Sequence, residues 1–503
     1  MPGTLGCGAG GKTGLIVLVE KVLILPGIGA SCLEPADGRW RFGPGLPAGA
    51  VISPDRLALA DDNPLQPVGV LNRCIGVQHL AVVPGYDLLA RRMSKAGVAG
   101  RATVAKGPNP ADDFDRQAQV IIVPYDFRRS NAESARWLAR VVNECLSSED
   151  HVTVVAHSMG GLVASYWFAV LGGWRRCRSL ITVGTPHRGA PKALDWLVNP
   201  TRSPLRRPAV TEVFRTWDSM WELLPDYPML ESDGQWRIPA EVPNIDDLTF
   251  DGFGRRARRA LKFHRMLDSA WRDLDLEQQR KLTCLLGFGH ATPSSAGVRG
   301  SGGRLRLAIS NQPPPAQVDG PVLHGGDHTV PHYSSWIEVD QVMPETLPDR
   351  HAPLWNTSAV ASKALAPLVP RLGHVRGEPA ARPGWVLDTD LPDELPLGQA
   401  QQIRAKVGRS SHCSSGGVAP LGSGNPSEKA EGLEGSAAQL EICRVNPASQ
   451  PCIVNLCADG QGRWRGEFPA LRDEGVYLVT CRVAAGSNLI EDTQLVVAIP
   501  APE

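Results

Sequence analysis

Short apolar runs alternate with amphipathic stretches over the first part of the chain. Val22–Leu25, Val120–Val123, Val152–Val155, Leu180–Val183 and Leu282–Leu286 are brief segments rich in Val, Ile and Leu, too short for a buried helix. Between them, Asn131–Leu146 places Trp137, Leu138, Val141 and Val142 on one helical face, and Gly161–Leu171 reads as a second helix. Near-continuous apolar strands separated by helices predict a parallel sheet covered on both faces, a doubly wound α/β arrangement.

Two regions depart from that alternation. Residues 32 to 75 are irregular and Pro-rich. Residues 194 to 280 carry Trp196, Phe214, Trp217, Trp221, Trp236, Phe250, Phe253 and Trp271 among Arg and Asp. An aromatic-rich insertion between late strands suits a cap or lid over an apolar site, and a helical subdomain with its own aromatic core is the alternative. Past Pro370 the pattern changes again. Pro379, Pro383, Pro392 and Pro396 punctuate a linker, and short period-two strands follow at Gln439–Val445, Pro451–Cys457 and Thr493–Ile499. Tyr477, Val479, Cys481 and Val483 share one face, and Asp459-Gly460 is a hairpin-type turn before Trp464 and Phe468. The expected division is a Gly-rich leader over 1–19, an α/β domain over 20–370 with its cap at about 194–280, a linker over 371–395, and an immunoglobulin-like β-sandwich over 396–503. The Ser/Gly-rich stretch 410–436 reads as a loop within the last of these.

The chemistry gathers where the third apolar run ends. His157-Ser158-Met159-Gly160-Gly161 joins a strand directly to a helix, the geometry that projects a nucleophilic serine from a strained turn. Small neighbours let the helix pass close to the strand, and Ala156 stands where the usual pattern has its first glycine. The helix N-terminus then leaves the Met159 N–H free to bind a developing oxyanion. A Ser-Gly turn without chemistry is the plain alternative, and an acid and a base further along weigh against it. Asp327, in Gly325-Gly326-Asp327-His328-Thr329-Val330-Pro331, follows after a long gap, and His351 after a short one. The order Ser, Asp, His on late loops is the order this chemistry takes in α/β-hydrolases. His324, His328 and His332 are rival bases, but each is too close to Asp327 to come from the next loop. Lys21–Leu25 ends in the tight loop Pro26-Gly27-Ile28-Gly29-Ala30, whose backbone can supply a second oxyanion donor, from Ile28 first and Gly29 next.

Taken in order, the Pro26-Gly27 loop, Val123-Pro124-Tyr125-Asp126-Phe127-Arg128, the Ala156–Gly161 elbow, Gly184-Thr185-Pro186-His187-Arg188-Gly189, Ser219–Pro225 and Gly326–Pro331 resemble the lecithin:cholesterol acyltransferase family. The resemblance covers about residues 20 to 370 and looks most like the bacterial branch. It implies an α/β-hydrolase core with a cap and an acyl-enzyme formed from a lipid ester. By motif position it makes Ser158, Asp327 and His351 the triad, with Ile28 and Met159 at the oxyanion hole. Two positions depart from the pattern: His328, where the family commonly has Gly or Asp, and His187, where mammalian members carry an aromatic near the acyl pocket. Mammalian members also have a disulfide near the lid, for which Cys32 and Cys74 are the candidates here.

Composition changes this picture little. The 503 residues carry no formal net charge, which gives no electrostatic drive toward nucleic acid or an anionic membrane. The 11 cysteines are scattered singly, with no spacing that reads as a zinc site, so neither metal nor cofactor is expected. A reducing, cytoplasmic compartment is the simpler reading, since Leu15–Val19 lacks the length and cleavage site of a signal peptide. No apolar run approaches the roughly 20 residues that span a bilayer, so membrane contact is expected to be peripheral at most. Gly6-Cys7-Gly8-Ala9-Gly10-Gly11-Lys12-Thr13 matches a P-loop by letter but has no strand before it and no helix after it. The resulting expectation is a serine lipid-ester hydrolase or acyltransferase that passes its acyl group to water or an alcohol. A carboxylesterase on small or neutral esters and a non-catalytic interaction protein on the same fold are the rivals. The C-terminal region shows no catalytic constellation, so an accessory or partner-binding role is expected of it.

Overall fold

The computed structural model describes residues 20–43, 54–70, 86, 102–199, 208–301, 304–315, 325–342, 344–355, 357–365, 385–391, 394–409, 437–444, 450–460, 462–473, 475–485 and 488–499. The Gly-rich leader with its P-loop-like letters, Cys74, His324, most of the 371–395 stretch and the Ser/Gly-rich 410–436 stretch lie outside these. Cys32 itself is buried.

A seven-stranded sheet organises the first part of the chain. Its order is Glu345–Leu347, Leu282–Gly287, Cys177–Val183, His151–His157, Glu20–Leu25, Val120–Ile122 and Ala102–Val104. Every neighbouring pair is parallel. The central strands are buried on both faces, Val22 to Leu25 fully, which is why they read as unbroken apolar runs and not as alternating ones. All five strands expected from the sequence are present, each within a few residues of its limits. The arrangement fits an α/β-hydrolase-like core.

Helix Asn131–Cys145 begins at Ser130, whose side chain accepts from the Glu133 N–H, and buries Ala135, Leu138, Val141, Val142 and Cys145. The stretch expected as one helix from Gly161 starts earlier, at Met159, and changes at Tyr166 into a π-helical turn ending at Val170. That widening lets Tyr166 stack on Phe263, with centroids 5.9 Å apart, and Phe168 on Trp271 at 5.1 Å.

Most rings of the aromatic insertion turn away from solvent, with Trp236 and Phe250 half-buried. Trp196, Phe214, Trp217, Trp221, Phe253 and Trp271 are buried, and they join one apolar cluster with Leu23, Val154 and Leu162 of the main core. Helices Pro208–Thr216 and Phe253–Arg272 carry most of them. A four-stranded sheet absent from the sequence reading, Arg304–Ser310, Ser295–Ser301, Leu230–Ser232 and Gln235–Arg237, completes the region.

The expected pair of immunoglobulin-like sheets takes a different form. Eight strands are hydrogen-bonded in one continuous order: Trp385–Thr389, Gln401–Arg409, Arg463–Phe468, Cys452–Gly460, Ala438–Arg444, Gly475–Ala485, Asn488–Ile499 and Glu394–Pro396. All pairs but the last are antiparallel. The sheet rolls toward a barrel around Trp464, Phe468, Leu440 and Val496. The two strands at its ends, Trp385–Thr389 and Glu394–Pro396, begin inside or at the edge of the segment read as linker.

Candidate active site

Strand His151–His157 delivers Ser158 onto a backbone at φ +53°, and helix Met159–Ser165 starts at the next residue. A non-glycine residue in so sparsely populated a conformation costs on the order of 1–3 kcal/mol. The turn is held by the Ser158 N–H donating to the Val183 carbonyl at 2.9 Å and the Gly161 N–H donating to the Ser158 carbonyl at 2.9 Å. Gly160 is required by close approach, because a Cβ there would lie 2.4 Å from the Pro26 carbonyl oxygen. The same contact brings the Pro26–Ala30 loop against the elbow, with Ile28 and Met159 both buried.

The structure joins the three residues expected as a triad. Ser158 Oγ is 2.9 Å from His351 Nε2, and His351 Nδ1 is 2.6 Å from Asp327 Oδ2. Asp327 Oδ1 accepts from the backbone N–H groups of Thr329 (2.9 Å) and Val330 (2.7 Å). Its carbonyl accepts from the His351 N–H at 2.7 Å, so Asp327 and His351 are fixed by backbone as well as side chain. Burial pushes the Asp327 carboxyl up, but the His351 charge and these hydrogen bonds outweigh it and hold its pKa below the usual value. Gly184, at φ +56°, makes room for the pair: a Cβ would sit 3.0 Å from Asp327 Oδ2 and 3.1 Å from His351 Nδ1.

The rival histidines stand elsewhere. His328, at φ +77°, turns its Nδ1 to the Ala291 carbonyl at 3.0 Å, a backbone conformation that explains why glycine suits that position. His332 lies in the turn His332–Ser334, and burial lowers its pKa to about 4. His187 is buried beside Thr182 Oγ1 at 3.1 Å, and burial together with the His264 charge brings its pKa to about 3.

Two functional candidates escaped the sequence reading. His157 Nε2 is 3.0 Å from the His351 carbonyl, and its Nδ1 is 2.8 Å from the Tyr86 hydroxyl. The Gly27 N–H donates to that hydroxyl at 2.9 Å. Since a carbonyl only accepts, His157 carries its proton on Nε2, and Tyr86 donates to Nδ1. Burial and the His351 charge lower its pKa to about 3, so it stays neutral. The chain Gly27–Tyr86–His157–His351 thus links the Pro26–Ala30 loop, the Ser158 turn and His351. The position of His157, immediately before the nucleophile, was the available signal. Tyr86 belongs to none of the motifs quoted above. The Val123–Arg128 motif also braces the first loop: Tyr125 donates to the Pro26 carbonyl at 2.8 Å, and the buried Asp126–Arg128 pair reaches the Ala58 carbonyl.

A parallel sheet with a serine at a strand–helix elbow and an Asp–His pair on late loops defines an α/β-hydrolase-like protein. Residues 113–253 match the family model of lecithin:cholesterol acyltransferase. The chain is lecithin:cholesterol acyltransferase-like over that span, which holds the Val123–Arg128 motif, the elbow, Gly184–Gly189 and Ser219–Pro225 but neither Asp327 nor His351. No curated protein matches the chain. Among solved structures it is similar to the propeptide form of the Bacillus licheniformis lipase BlEst2, at 10% identity and TM-score 0.31, over 94% of this chain and 92% of that one. The mature form of that lipase gives 10% identity and TM-score 0.31 over 70% and 93%. An endo-beta-1,4-mannanase from Thermotoga petrophila gives 8% identity and TM-score 0.16 over 76% and 84%.

Proposed function

We propose that the protein is a serine-dependent acyl hydrolase or acyltransferase that takes its acyl group from a lipid ester. The observation that carries this reading is the continuous Ser158–His351–Asp327 hydrogen-bonded series at a strained strand–helix turn. The family match over residues 113–253 supports a lipid ester as the substrate class. Ser158 Oγ attacks the ester carbonyl as His351 Nε2 takes its proton, and Asp327 keeps the imidazole in the tautomer whose Nε2 lone pair faces the serine. The N–H groups of Ile28 and Met159 receive the developing oxyanion. His351 returns the proton to the departing alcohol, leaving an acyl group on Ser158, and water or a second alcohol then removes it by the reverse sequence. Neutral His157 keeps a second positive charge away from the imidazolium formed in this step.

The test is a profile of acyl products. Phospholipid and neutral ester vesicles are incubated with the protein, with and without an added long-chain alcohol, beside Ser158→Ala. Free fatty acid or a new ester formed only by the wild type supports the reading. Product formed equally by Ser158→Ala would overturn it.

A further inference from the structure

Arg350, the residue before His351, caps the short helix His351–Leu354 and is almost fully buried. Its guanidinium turns away from the parallel sheet and into the C-terminal one. Nε is 3.1 Å from both carboxylate oxygens of Asp492, and Nη2 donates to Asp388 Oδ1 (3.1 Å), the Thr389 carbonyl (2.8 Å) and Thr389 Oγ1 (3.3 Å). Thr389 Oγ1 also donates to Asp492 Oδ2 at 3.1 Å, so the acceptors are themselves held. The cluster does not stop at the base loop. Asp388 Oδ1 is 3.1 Å from His290 Nδ1, while His290 Nε2 is 3.4 Å from the Pro348 carbonyl. The His290 backbone exchanges hydrogen bonds with Gly326, the residue before Asp327. Two strands of the C-terminal sheet therefore grip both loops that carry the acid and the base.

From this geometry we infer that the C-terminal sheet is a working part of the active site, in which Asp492 and Asp388 position His351 through Arg350. The inference rests on the serine–histidine reading above. A guanidinium at this depth without its carboxylates is strongly unfavourable, so a chain lacking them would rotate Arg350 toward water and carry the adjacent His351 with it. Displacement of a reacting group by about 1 Å costs on the order of 10²-fold in rate. The burial of Asp388 pushes its carboxyl up, yet the His290 hydrogen bond and the Arg350 charge keep it below the usual carboxylate value, as a counter-ion must be. Arg350, Asp388 and Asp492 touch no reacting atom, and their role is positioning.

Full-length Asp492→Asn, Arg350→Lys and Arg350→Ala are compared with wild type and Ser158→Ala for the rate of fluorophosphonate labelling and for kcat and KM on a soluble nitrophenyl ester, each per folded molecule. The expected result is a fall of about 10²-fold in labelling rate and kcat for Asp492→Asn and Arg350→Ala, with KM nearly unchanged. Arg350→Lys, which keeps the charge and stem but not the forked donors, falls between. Folded Asp492→Asn or Arg350→Lys labelling at the wild-type rate would overturn the inference. So would failure of every variant to fold, which would make the cluster a structural ion pair only. Should Ser158→Ala itself remain active, the nucleophile assignment fails, a result separate from either of these.

Discussion

Asp327→Asn changes one atom and should nearly silence the site. In the structure Asp327 Oδ1 accepts from two backbone N–H groups at 2.9 and 2.7 Å, and Oδ2 faces His351 Nδ1 at 2.6 Å. An asparagine has one acceptor oxygen and one donor nitrogen for these places. Turning its NH2 to the backbone sets donors against two N–H groups, so the oxygen stays there and the NH2 meets His351 Nδ1. Nδ1 must then be the unprotonated nitrogen, and the proton moves to Nε2, where it points at Ser158 Oγ. A base in that tautomer cannot take the serine proton. The analogous change in a serine triad lowers kcat by about 10⁴, equivalent to about 5.5 kcal/mol at 1.36 kcal/mol per tenfold. Stability should change far less, because the geometry is isosteric. The assay pairs ester turnover with thermal melting. An Asn variant within tenfold of wild type would refute the tautomer argument.

Two further substitutions read other parts of the account. Gly184→Ala puts a Cβ 3.0 Å from Asp327 Oδ2 at a positive φ; it should destabilise by about 1–3 kcal/mol and lower activity well beyond that loss of folded protein, as melting and turnover together will show. Glu222, which accepts from the Asn131 N–H at 2.6 Å, is raised by burial to about 7. A carboxyl raised in the folded state binds its proton more tightly there, so its contribution is complete below the unfolded value near 4.5 and is lost as pH rises through about 7. Glu222→Gln should therefore be more stable than wild type at pH 8 by about 1–2 kcal/mol, read from melting, with the gap closing by pH 5. A gap independent of pH would contradict that assignment.

What the sequence made legible was local or carried by motifs. The elbow is contiguous, so strand, turn and helix all lie within Val152–Ser165 and the proposed nucleophile could be read directly. Asp327 and His351 were legible because each sits in a short loop of recognisable composition. The support around them was not. Arg350 meets Asp492 across 142 positions of sequence, and no local pattern distinguishes those residues from ordinary surface charges. Tyr86 meets Gly27 across 59 positions and lies in no motif. Cap and helical subdomain could not be told apart from the aromatics between Leu194 and Arg280 because Arg and Asp surround them; in the structure most of these rings join one cluster with Phe168 and Leu162. In the C-terminal region, alternation identified which residues face the core, Tyr477, Val479, Cys481 and Val483 among them. Beyond local hairpins such as the one at Asp459-Gly460, it carried no information on which strands pair, and the joining of these hairpins into one eight-stranded order depends on long-range pairing.

The central claim is that Ser158 carries the acyl group. The most direct measurement is intact-protein and peptide mass spectrometry after brief reaction with an activated long-chain ester, with His351→Ala as the control for base assistance. The account predicts a single acyl adduct on the peptide that contains Ser158, absent from Ser158→Ala and formed far more slowly in His351→Ala. An adduct on another residue, or one that persists at the wild-type rate in either variant, would contradict it.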